Sequence, residues 1–199
     1  MQTKLSLKGL APQQMTQKLD GFMQKIKQLS DLISLDLTTF QADHIALRIN
    51  EQDLAICAHR EWQKHGTVIS NACINGRPII VLLFDEALLW GDWHIECLEL
   101  PYPIEGKHYP KQTWEHVEFV IPSSAQTADE YLEDLQTKLP NFAKQYHSLP
   151  ELGVEIKLSS PKAEGERLSN PTIAFKWDNI CIKLHPHSLR EIIESEQLG

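Results

Sequence analysis

Two short segments of this chain repeat one pattern, and no other feature constrains the fold as strongly. Residues 43–49 and 115–121 each read as an acidic residue, a histidine and then alternating apolar positions. The two histidines, His44 and His116, are 72 residues apart. A repeat of this length indicates two similar units packed as a pair, with equivalent residues converging near a pseudo-two-fold axis. The repeat therefore predicts that His44 and His116 lie close together.

A second echo extends the repeat to whole modules, because residues 95–101 are matched by residues 180–186. Between the halves lies a stretch with Pro103, Gly106 and Pro110, which is typical of a linker. Each half reads as βαβββ, so we predict an α+β fold. Two βαβββ modules would form a cupped, eight-stranded mixed sheet with helices on its outer face. The predicted units of this one compact domain are an N-terminal helical extension (1–40), a first module (41–101), a linker (102–113) and a second module with a C-terminal helix (114–199).

Hydrophobic periodicity and turn signals place the elements within each module. The first module is predicted to contain strands near 43–50, 66–71, 78–84 and 93–100, with a helix at 51–65. The second is predicted to contain strands near 114–121, 153–158, 171–177 and 179–185, with helices starting near 124 and at 187–196. Asn75–Gly76–Arg77–Pro78 predicts a turn, and Asp178–Asn179 predicts a tight hairpin, since Asn, Asp and Gly tolerate positive φ.

The N-terminal extension carries one apolar stripe at helical spacing over residues 12–33. We predict an amphipathic helix there, beginning at Pro12 and broken near Gly21. A helix that covers the sheet is the first interpretation, and a helix that binds a partner is the alternative. The residues of the stripe are Met15, Leu19, Phe22, Ile26, Leu29 and Ile33.

Composition narrows the classes of protein to which the chain can belong. Its 19 basic and 27 acidic residues give a net charge of −8, which disfavours a nucleic-acid partner. The N-terminus lacks the apolar run of a signal peptide, and no stretch is apolar over the length of a membrane helix, so no membrane partner is expected. The four cysteines form no CxxC pair and are predicted to be reduced and buried. Together these features predict a cytoplasmic protein.

Alternation along the strands predicts which side chains line the cup. Ile45, Leu47 and Ile49 suit the face beneath the helices, so His44 and Arg48 would point into the cup. Polar side chains on such central strands need partners or a purpose. The other predicted sets, each sharing one face, are Trp114, His116, Glu118 and Val120; Trp93, Ile95, Cys97 and Glu99; and Cys181, Lys183 and His185.

A histidine in the first strand and a carboxylate in the fourth strand of paired βαβββ modules resemble the vicinal-oxygen-chelate superfamily. That superfamily includes glyoxalase I, methylmalonyl-CoA epimerase and the extradiol dioxygenases. Within it, residues 40–197 resemble the YecM family. The stretches that carry the resemblance are Ala42–Asp43–His44–Ile45–Ala46–Leu47–Arg48, Ile74–Asn75–Gly76–Arg77–Pro78–Ile79, Leu98–Glu99–Leu100–Pro101, Trp114–Glu115–His116–Val117–Glu118, Ser159–Ser160–Pro161–Lys162, Glu166–Arg167–Leu168, Asn170–Pro171–Thr172 and Ile182–Lys183–Leu184–His185–Pro186.

The resemblance implies a metal site with one ligand from each first strand and one from each fourth strand. In this sequence those positions are His44, Glu99, His116 and Lys183. The lysine departs from the pattern, because a protonated ammonium cannot ligate a metal. Two histidines and one glutamate would suit a divalent transition metal such as Zn, Ni, Mn or Fe, with open positions for water and substrate. His185 would add a nitrogen or act as an acid or base, and Glu118 would be a ligand or base.

A metal-free interpretation of the same residues stays open. Lys183 would pair directly with Glu99 where a metal would otherwise sit, which would neutralise the cup without any ion. His44 and His116 would then be hydrogen-bonded histidines of the core or of a pocket.

Basic residues point to an anionic small ligand. Arginine binds carboxylate and phosphate through its planar fork, and Arg77 and Arg167 lie in predicted turns near the sheet rim. Arg48, on a central strand, is the candidate anion anchor, and Lys183 faces the same cup. Solvated loop arginines are the alternative interpretation of the two turn residues.

Three functional hypotheses follow. The first is a small metalloenzyme, a lyase, isomerase or dioxygenase acting on a small, oxygenated, anionic metabolite. The second is a non-catalytic module that holds a small ligand in a metal-free, salt-bridged cup. The third, an interaction protein, rests on the N-terminal helix alone.

Overall fold

The computed structural model describes residues 4–74, 76–160 and 168–197 of the chain. Two short 3₁₀ turns, Leu37–Thr39 and Leu149–Leu152, accompany the helices and strands. The helices are α1 (Lys4–Leu7), α2 (Pro12–Gln17), α3 (Leu19–Leu32), α4 (Gln52–Trp62), α5 (Ala128–Lys138), α6 (Pro140–Tyr146) and α7 (Leu189–Gln197). The strands are β1 (Gln41–Arg48), β2 (Gly66–Ser70), β3 (Cys73–Ile74), β4 (Arg77–Trp90), β5 (Trp93–Pro101), β6 (Thr113–Val120), β7 (Glu155–Ser159), β8 (Thr172–Trp177) and β9 (Ile180–His185).

One open mixed sheet organises the molecule, in the order β2-β4-β5-β1-β6-β9-β8-β7, with the short β3 paired to β4. The first strands of the two halves, β1 and β6, run antiparallel at its centre. Each first strand is flanked by the fourth strand of its own half, since β5 is parallel to β1 and β9 is parallel to β6. This order confirms the predicted pair of βαβββ units that share eight strands.

Helices α1 to α6 cover the face that we call the outer face. The main apolar core lies there, between the helices and alternate strand residues such as Ile45, Leu47 and Val117. Helix α7 differs, because its Ile193 and Leu189 pack with Val81 and Cys97 in a separate small cluster. Those strand residues alternate with core residues of the outer face, so α7 lies on the opposite, inner face. The prediction that the helices lie on the outer face therefore does not extend to this C-terminal helix.

The N-terminal stripe forms two helices rather than one. The backbone N–H of Lys18 donates to the carbonyls of Gln14 and Met15 and ends α2, and α3 begins at the next residue. The break predicted near Gly21 is thus at Lys18, and Gly21 lies inside α3. The apolar side of α3 is buried in the main core, which supports the covering role and leaves that face unavailable to a partner.

Two β-bulges at the centre of the sheet correct the predicted faces. The β1–β6 register shifts between Ala42 and His44 and again between Ala46 and Leu47, which leaves Asp43 and Glu115 as the extra residues. Trp114 therefore points to the outer face, where its indole donates to the Met15 carbonyl at 2.9 Å. The prediction that Trp114 shares a face with His116 was wrong for this reason.

Strand β5 shows the same kind of correction. Trp93 and Ile95 lie in the main core of the outer face, whereas Cys97 packs on α7 at the inner face. The β4–β5 register is irregular between Leu83 and Leu88, opposite the change of face. Because β4 resumes pairing after this irregularity, it continues to Trp90 rather than ending near residue 84.

The predicted turns and cysteines have separate outcomes. Asp178 and Asn179 take positive φ values of 45° and 62° between β8 and β9, as the hairpin prediction requires. Gly76 has a φ of 77° in the turn before β4, and Asn75 lies outside the described residues. Cys97 and Cys181 are buried, but Cys57 is half-buried and Cys73 is exposed, so burial was predicted correctly for two of the four.

In the described ranges, no helix combines the length and the apolar character that crossing a membrane requires.

The close approach of β2 to β4 gives a test of the fold. A Cβ at Gly66 would lie 2.2 Å from the Leu83 carbonyl oxygen, whereas a Cβ at Gly21 would meet nothing within 4 Å. We expect Gly66→Ala to lower the free energy of unfolding by about 2–3 kcal/mol, because backbone must move. Gly21→Ala, the matched control inside α3, should raise it by roughly 0.5–1 kcal/mol. Urea unfolding measures both, and equal stability of the two variants would contradict the β2–β4 packing.

Candidate metal centre

Four side chains able to ligate a metal converge on the inner face of the sheet. They are His44 on β1, Glu99 on β5, and His116 and Glu118 on β6, and one ligand atom of each lies within 4.8 Å of the others. His44 Nε2 is 3.4 Å from Glu99 Oε2 and 3.3 Å from Glu118 Oε1. His116 Nε2 is 3.1 Å from the same Glu118 oxygen and 3.8 Å from Glu99 Oε1. The structure thus brings together the three predicted ligands and Glu118, which was predicted as a ligand or base.

Strand register explains why these residues meet. Across the antiparallel β1–β6 pair, His44 lies opposite Glu118, and His116 lies opposite Ala46. Beside β1, the parallel strand β5 places Glu99 next to Ala46. The second half repeats this arrangement, because β9 places Lys183 next to Glu118. Lys183 therefore occupies the position that Glu99 occupies in the first half.

Each histidine receives a carboxylate from the bulged residue that precedes it. Asp43 Oδ2 is 2.9 Å from His44 Nδ1, and Glu115 Oε2 is 3.0 Å from His116 Nδ1. A carboxylate that accepts a hydrogen bond from Nδ1 stabilises the tautomer with its proton on Nδ1. The lone pair of Nε2 then points toward the point where the four donors converge. The two bulges therefore orient both imidazoles toward one point.

These orienting carboxylates, Asp43 and Glu115, were not among the predicted site residues. The signal for them was present, since an acidic residue precedes the histidine in both copies of the repeat. Strict strand alternation assigns such a residue to the opposite face. Only the bulges bring its carboxylate to the ring of its neighbour.

Lys183 contacts two of the four donors. Its Nζ donates to Glu118 Oε1 at 2.6 Å and lies 3.1 Å from His116 Nε2. Within the described ranges, no ion pair joins Lys183 to Glu99, so the direct pair expected in the metal-free interpretation was assigned to the wrong glutamate. The register places Lys183 beside Glu118 on the adjacent strand, whereas Glu99 lies on the far side of β1 and β6.

His185 lies at the other end of Glu118. Its Nε2 is 3.3 Å from Glu118 Oε2 and 3.8 Å from Asp43 Oδ2, and its Nδ1 donates to the His187 carbonyl. Asp43 Oδ2 also accepts the backbone N–H of Leu189 at 2.9 Å, which ties the start of α7 to the site. His185 thus lies next to the four donors, on the side that α7 covers.

The donor set fits a divalent transition metal by geometry. Bonds of about 2.1 Å place neighbouring donors roughly 3.0 Å apart in an octahedron and roughly 3.4 Å apart in a tetrahedron. Of the four imidazole-to-carboxylate distances, 3.1, 3.3 and 3.4 Å lie within that range, and the fourth, 3.8 Å, lies above it. His44 Nε2 is buried without a hydrogen-bond partner anywhere in the described chain. A buried imidazole nitrogen that is close to two carboxylates and has no hydrogen-bond partner fits the role of a metal ligand.

Charge gives a second measure of fit. The inner face gathers four carboxylates (Asp43, Glu99, Glu115 and Glu118) against two permanent cations (Arg48 and Lys183). With neutral imidazoles this leaves two negative charges, which one divalent cation would balance. Unbalanced buried charge is costly, so the site favours positive charge in some form.

The pKa values show the same demand for positive charge. Burial alone would raise the pKa of Glu99, but His44, Lys183 and His116 lower it to about 2. Burial also opposes ionisation of Glu118, yet Lys183 and His44 hold its pKa well below the usual range. Burial would lower the pKa of His44, but the charge of Glu118 and the proximity of the Asp43 and Glu99 carboxylates raise it well above its ordinary value. Without a metal, a proton on His44 takes up part of the charge.

Side chains at the centre differ in their exposure to solvent. The histidine side chains are buried, whereas Glu99 is 15% exposed and Lys183 is 27% exposed. Lys183 is therefore more exposed than any of the four donors.

The predicted anion-binding arginines do not join the four donors. Arg48 Nη2 donates to Glu115, so its guanidinium lies on the Nδ1 side of His116. Arg77 Nη1 is 3.5 Å from the Tyr102 carbonyl oxygen at the sheet edge. Arg167 lies outside the described residues.

The strand order and the inner-face donors define a paired βαβββ protein with a candidate metal centre. The profile of the YecM protein family matches residues 11–196, and the chain belongs to that family. This chain is 37% identical over 185 residues to Protein YecM of Escherichia coli, and the alignment covers 93% of this chain and 94% of the relative. The predicted family is thus confirmed.

Two further comparisons extend the likeness. A solved structural-genomics protein, EC4020, superposes with a TM-score of 0.78 at 33% identity and covers 99% of this chain and 98% of its own. A shorter likeness, 33% identity over 88 residues, relates 44% of this chain to 53% of the fosfomycin resistance protein FosX of Listeria monocytogenes.

The contacts of Lys183 give a test of the site in the metal-free protein. Lys183→Met leaves Glu118 buried without its nearest cation, so we expect the free energy of unfolding to fall by about 2 kcal/mol. Lys176→Met, on the neighbouring strand, removes an exposed pair with Glu155 at 3.6 Å and should cost less than about 0.5 kcal/mol. Urea unfolding after dialysis against chelator measures both. Equal losses would show that Lys183 does not stabilise Glu118.

Proposed function

We propose that this chain binds one divalent transition metal through His44, Glu99 and His116, with Glu118 as a fourth donor. One observation carries the proposal: four donors from three neighbouring strands converge with two surplus negative charges around a buried, unpartnered imidazole nitrogen. Two nitrogens and two carboxylate oxygens suit Mn, Fe, Ni and Zn alike. The metal that is bound in the cell therefore depends on the availability of each of these four ions.

We further propose that the centre is catalytic, and that the reaction is that of a lyase, isomerase or dioxygenase acting on a small, oxygenated, anionic compound. A bound divalent metal would supply Lewis acidity to adjacent oxygen atoms of the substrate. Lys183, which is more exposed than any of the four donors, would hold the anionic group of the substrate. His185 Nε2 lies against Glu118 and has no hydrogen-bond partner within the described residues, so the pair can take and release a proton.

The likeness to a fosfomycin resistance protein supports a small-molecule substrate, although it covers less than half of this chain. Fosfomycin resistance is the function of that relative. For this chain the likeness favours a small, oxygenated compound, and the net charge of −8 separately disfavours a nucleic-acid partner.

A metal-free binding module is the second candidate, and Lys183 is the observation that favours it. Its ammonium lies within hydrogen-bonding distance of Glu118 and His116, in the space between two of the donors. In this alternative Lys183 and a protonated His44 balance the carboxylates, and the cup holds an anionic ligand without catalysis.

Metal analysis separates the two candidates. We expect protein purified without added metal to contain about one equivalent of a divalent transition metal, or to take up one of Mn²⁺, Fe²⁺, Ni²⁺ and Zn²⁺ at that stoichiometry. Binding to the folded state should raise the free energy of unfolding by about 2.7 kcal/mol at a hundredfold excess over Kd. The His44→Ala/His116→Ala variant should lose both the metal and the stabilisation.

The matched control is His94→Ala/His108→Ala, which removes two exposed histidines. It should keep full metal content and the same stability gain. Absence of metal in the unmodified protein, together with unchanged stability after each of the four ions is added, would establish the metal-free module instead.

The class of reaction has its own test with metal-loaded protein. In ²H₂O, a lyase or isomerase that abstracts a proton next to a carbonyl should introduce deuterium into one member of a panel of small 2-oxo and 2-hydroxy acids, which NMR detects. A dioxygenase should instead consume oxygen with a small diol or enediol. Glu118→Gln should abolish either activity. Absence of both activities in stoichiometrically loaded protein would contradict catalysis and leave metal binding as the function.

A further inference from the structure

A second cavity lies where β1 ends and β6 and β9 begin, and it has a volume of about 190 Å³. Its polar lining consists mainly of Arg48, Tyr109, Lys111, Glu115, Lys176 and Asn179. None of the four converging donors of the metal centre is among the described residues that line it. Glu115 separates the two sites, because its carboxylate binds Arg48 on one side and His116 Nδ1 on the other.

Arg48 is the feature of this cavity that needs an explanation. The residue is 7% exposed, and its Nη2 donates a hydrogen bond to the Glu115 carboxylate. Its Nε and Nη1 are buried without a hydrogen-bond partner in the described part of the chain. A guanidinium has five N–H donors, and leaving buried donors unmet costs about 1–3 kcal/mol per group. Arg48 therefore has buried N–H donors without acceptors, and it lies in the wall of a cavity.

Charge in the cavity is opposite to that of the whole molecule. The chain carries −8, yet Arg48, Lys111 and Lys176 line this small space with Glu115 as the one carboxylate among the described lining residues. That carboxylate is already shared by Arg48 and His116. Burial would raise the pKa of Tyr109, but the charges of Arg48, Lys107 and Arg77 lower it, as is expected where basic residues surround the phenol.

The wall of the cavity is held in place. Asn50 Nδ2 donates to the Tyr109 carbonyl at 2.8 Å, and the Tyr109 N–H donates to Asn50 Oδ1 at 2.9 Å. The Tyr109 ring then lies against the guanidinium, with Arg48 Cζ 4.1 Å from the ring centroid. A site ordered before its ligand arrives loses less entropy on binding.

We propose that this cavity is a binding site for a small oxyanion, a phosphate or carboxylate group, that accepts hydrogen bonds from Arg48 and is held by the charges of Lys111 and Lys176. The guanidinium matches both groups through its planar donors. This site goes beyond the proposed metal-dependent function, since it needs no metal and shares no donor with the centre.

The test uses full-length, metal-free protein from which the chelator has been removed. Inorganic phosphate and acetate are titrated separately at constant ionic strength, balanced with NaCl, while NMR follows the ¹⁵Nε–¹H resonance of Arg48. We expect a saturable shift with at least one of the two anions. Lys111→Gln/Lys176→Gln should weaken that binding by about tenfold or more, because two nearby charges are lost.

Lys64→Gln/Lys138→Gln is the matched control, since it removes two exposed lysines that do not line the cavity. Its affinity should stay within about twofold of the unmodified protein. Both double variants keep Arg48 and Glu115, so the test requires no substitution of the buried arginine. The proposal would be overturned if neither anion gave a saturable shift, or if the two double variants weakened anion binding equally. Neither result bears on metal binding.

Discussion

The antiparallel pairing of β1 with β6 is the contact on which the rest of the structure depends. It joins the first strands of the two halves at the centre of the sheet and sets His44 and His116 on one face. Without the two bulges in this pair, Asp43 and Glu115 would point away from the imidazoles that follow them. The same strand pairing thus joins the apolar core of the two halves and orients the two histidines.

Concentrating four carboxylates on one face of the sheet is unfavourable unless positive charge is close. Two permanent cations provide part of it, each placed by register: Arg48 beside Glu115, and Lys183 beside Glu118. The main core on the opposite face supplies the stabilisation that such a cluster needs, since large side chains such as Trp114 and Phe119 are fully buried there. What remains is a demand for further positive charge near His44, and a proton or a metal ion can meet it.

Much of this could be predicted from the sequence, because the repeat acts at the level of topology. Two copies of an acidic-His strand predicted the paired modules and the approach of His44 to His116. The second echo placed Glu99 on a fourth strand, and the family resemblance implied its role as a ligand. The errors arose where alternation fails locally. Bulges moved Trp114 to the outer face, an irregular β4–β5 register separated Trp93 from Cys97, and neither event leaves a mark in hydrophobic periodicity.

The partner of Lys183 failed to follow from the sequence for a related reason. Pairing it with Glu99 assumed that equivalent fourth-strand residues meet across the pseudo-two-fold axis. In the sheet, two strands separate them, and the adjacent residue of β6 is nearer. That residue is Glu118, whose counterpart in the first half is Ala46, so the carboxylate that receives Lys183 exists in one half only.

The departure from symmetry also determines how the site meets solvent. In the first half, α7 packs on the inner face and its Leu189 N–H binds the carboxylate that orients His44. In the second half Lys183 lies beside the donors, and it is the most exposed of the side chains that contact them. In the proposed function, an anionic substrate that approaches the four donors would also contact this ammonium. The lysine that departs from the ligand pattern of the repeat would then contribute to selecting the charge of the substrate.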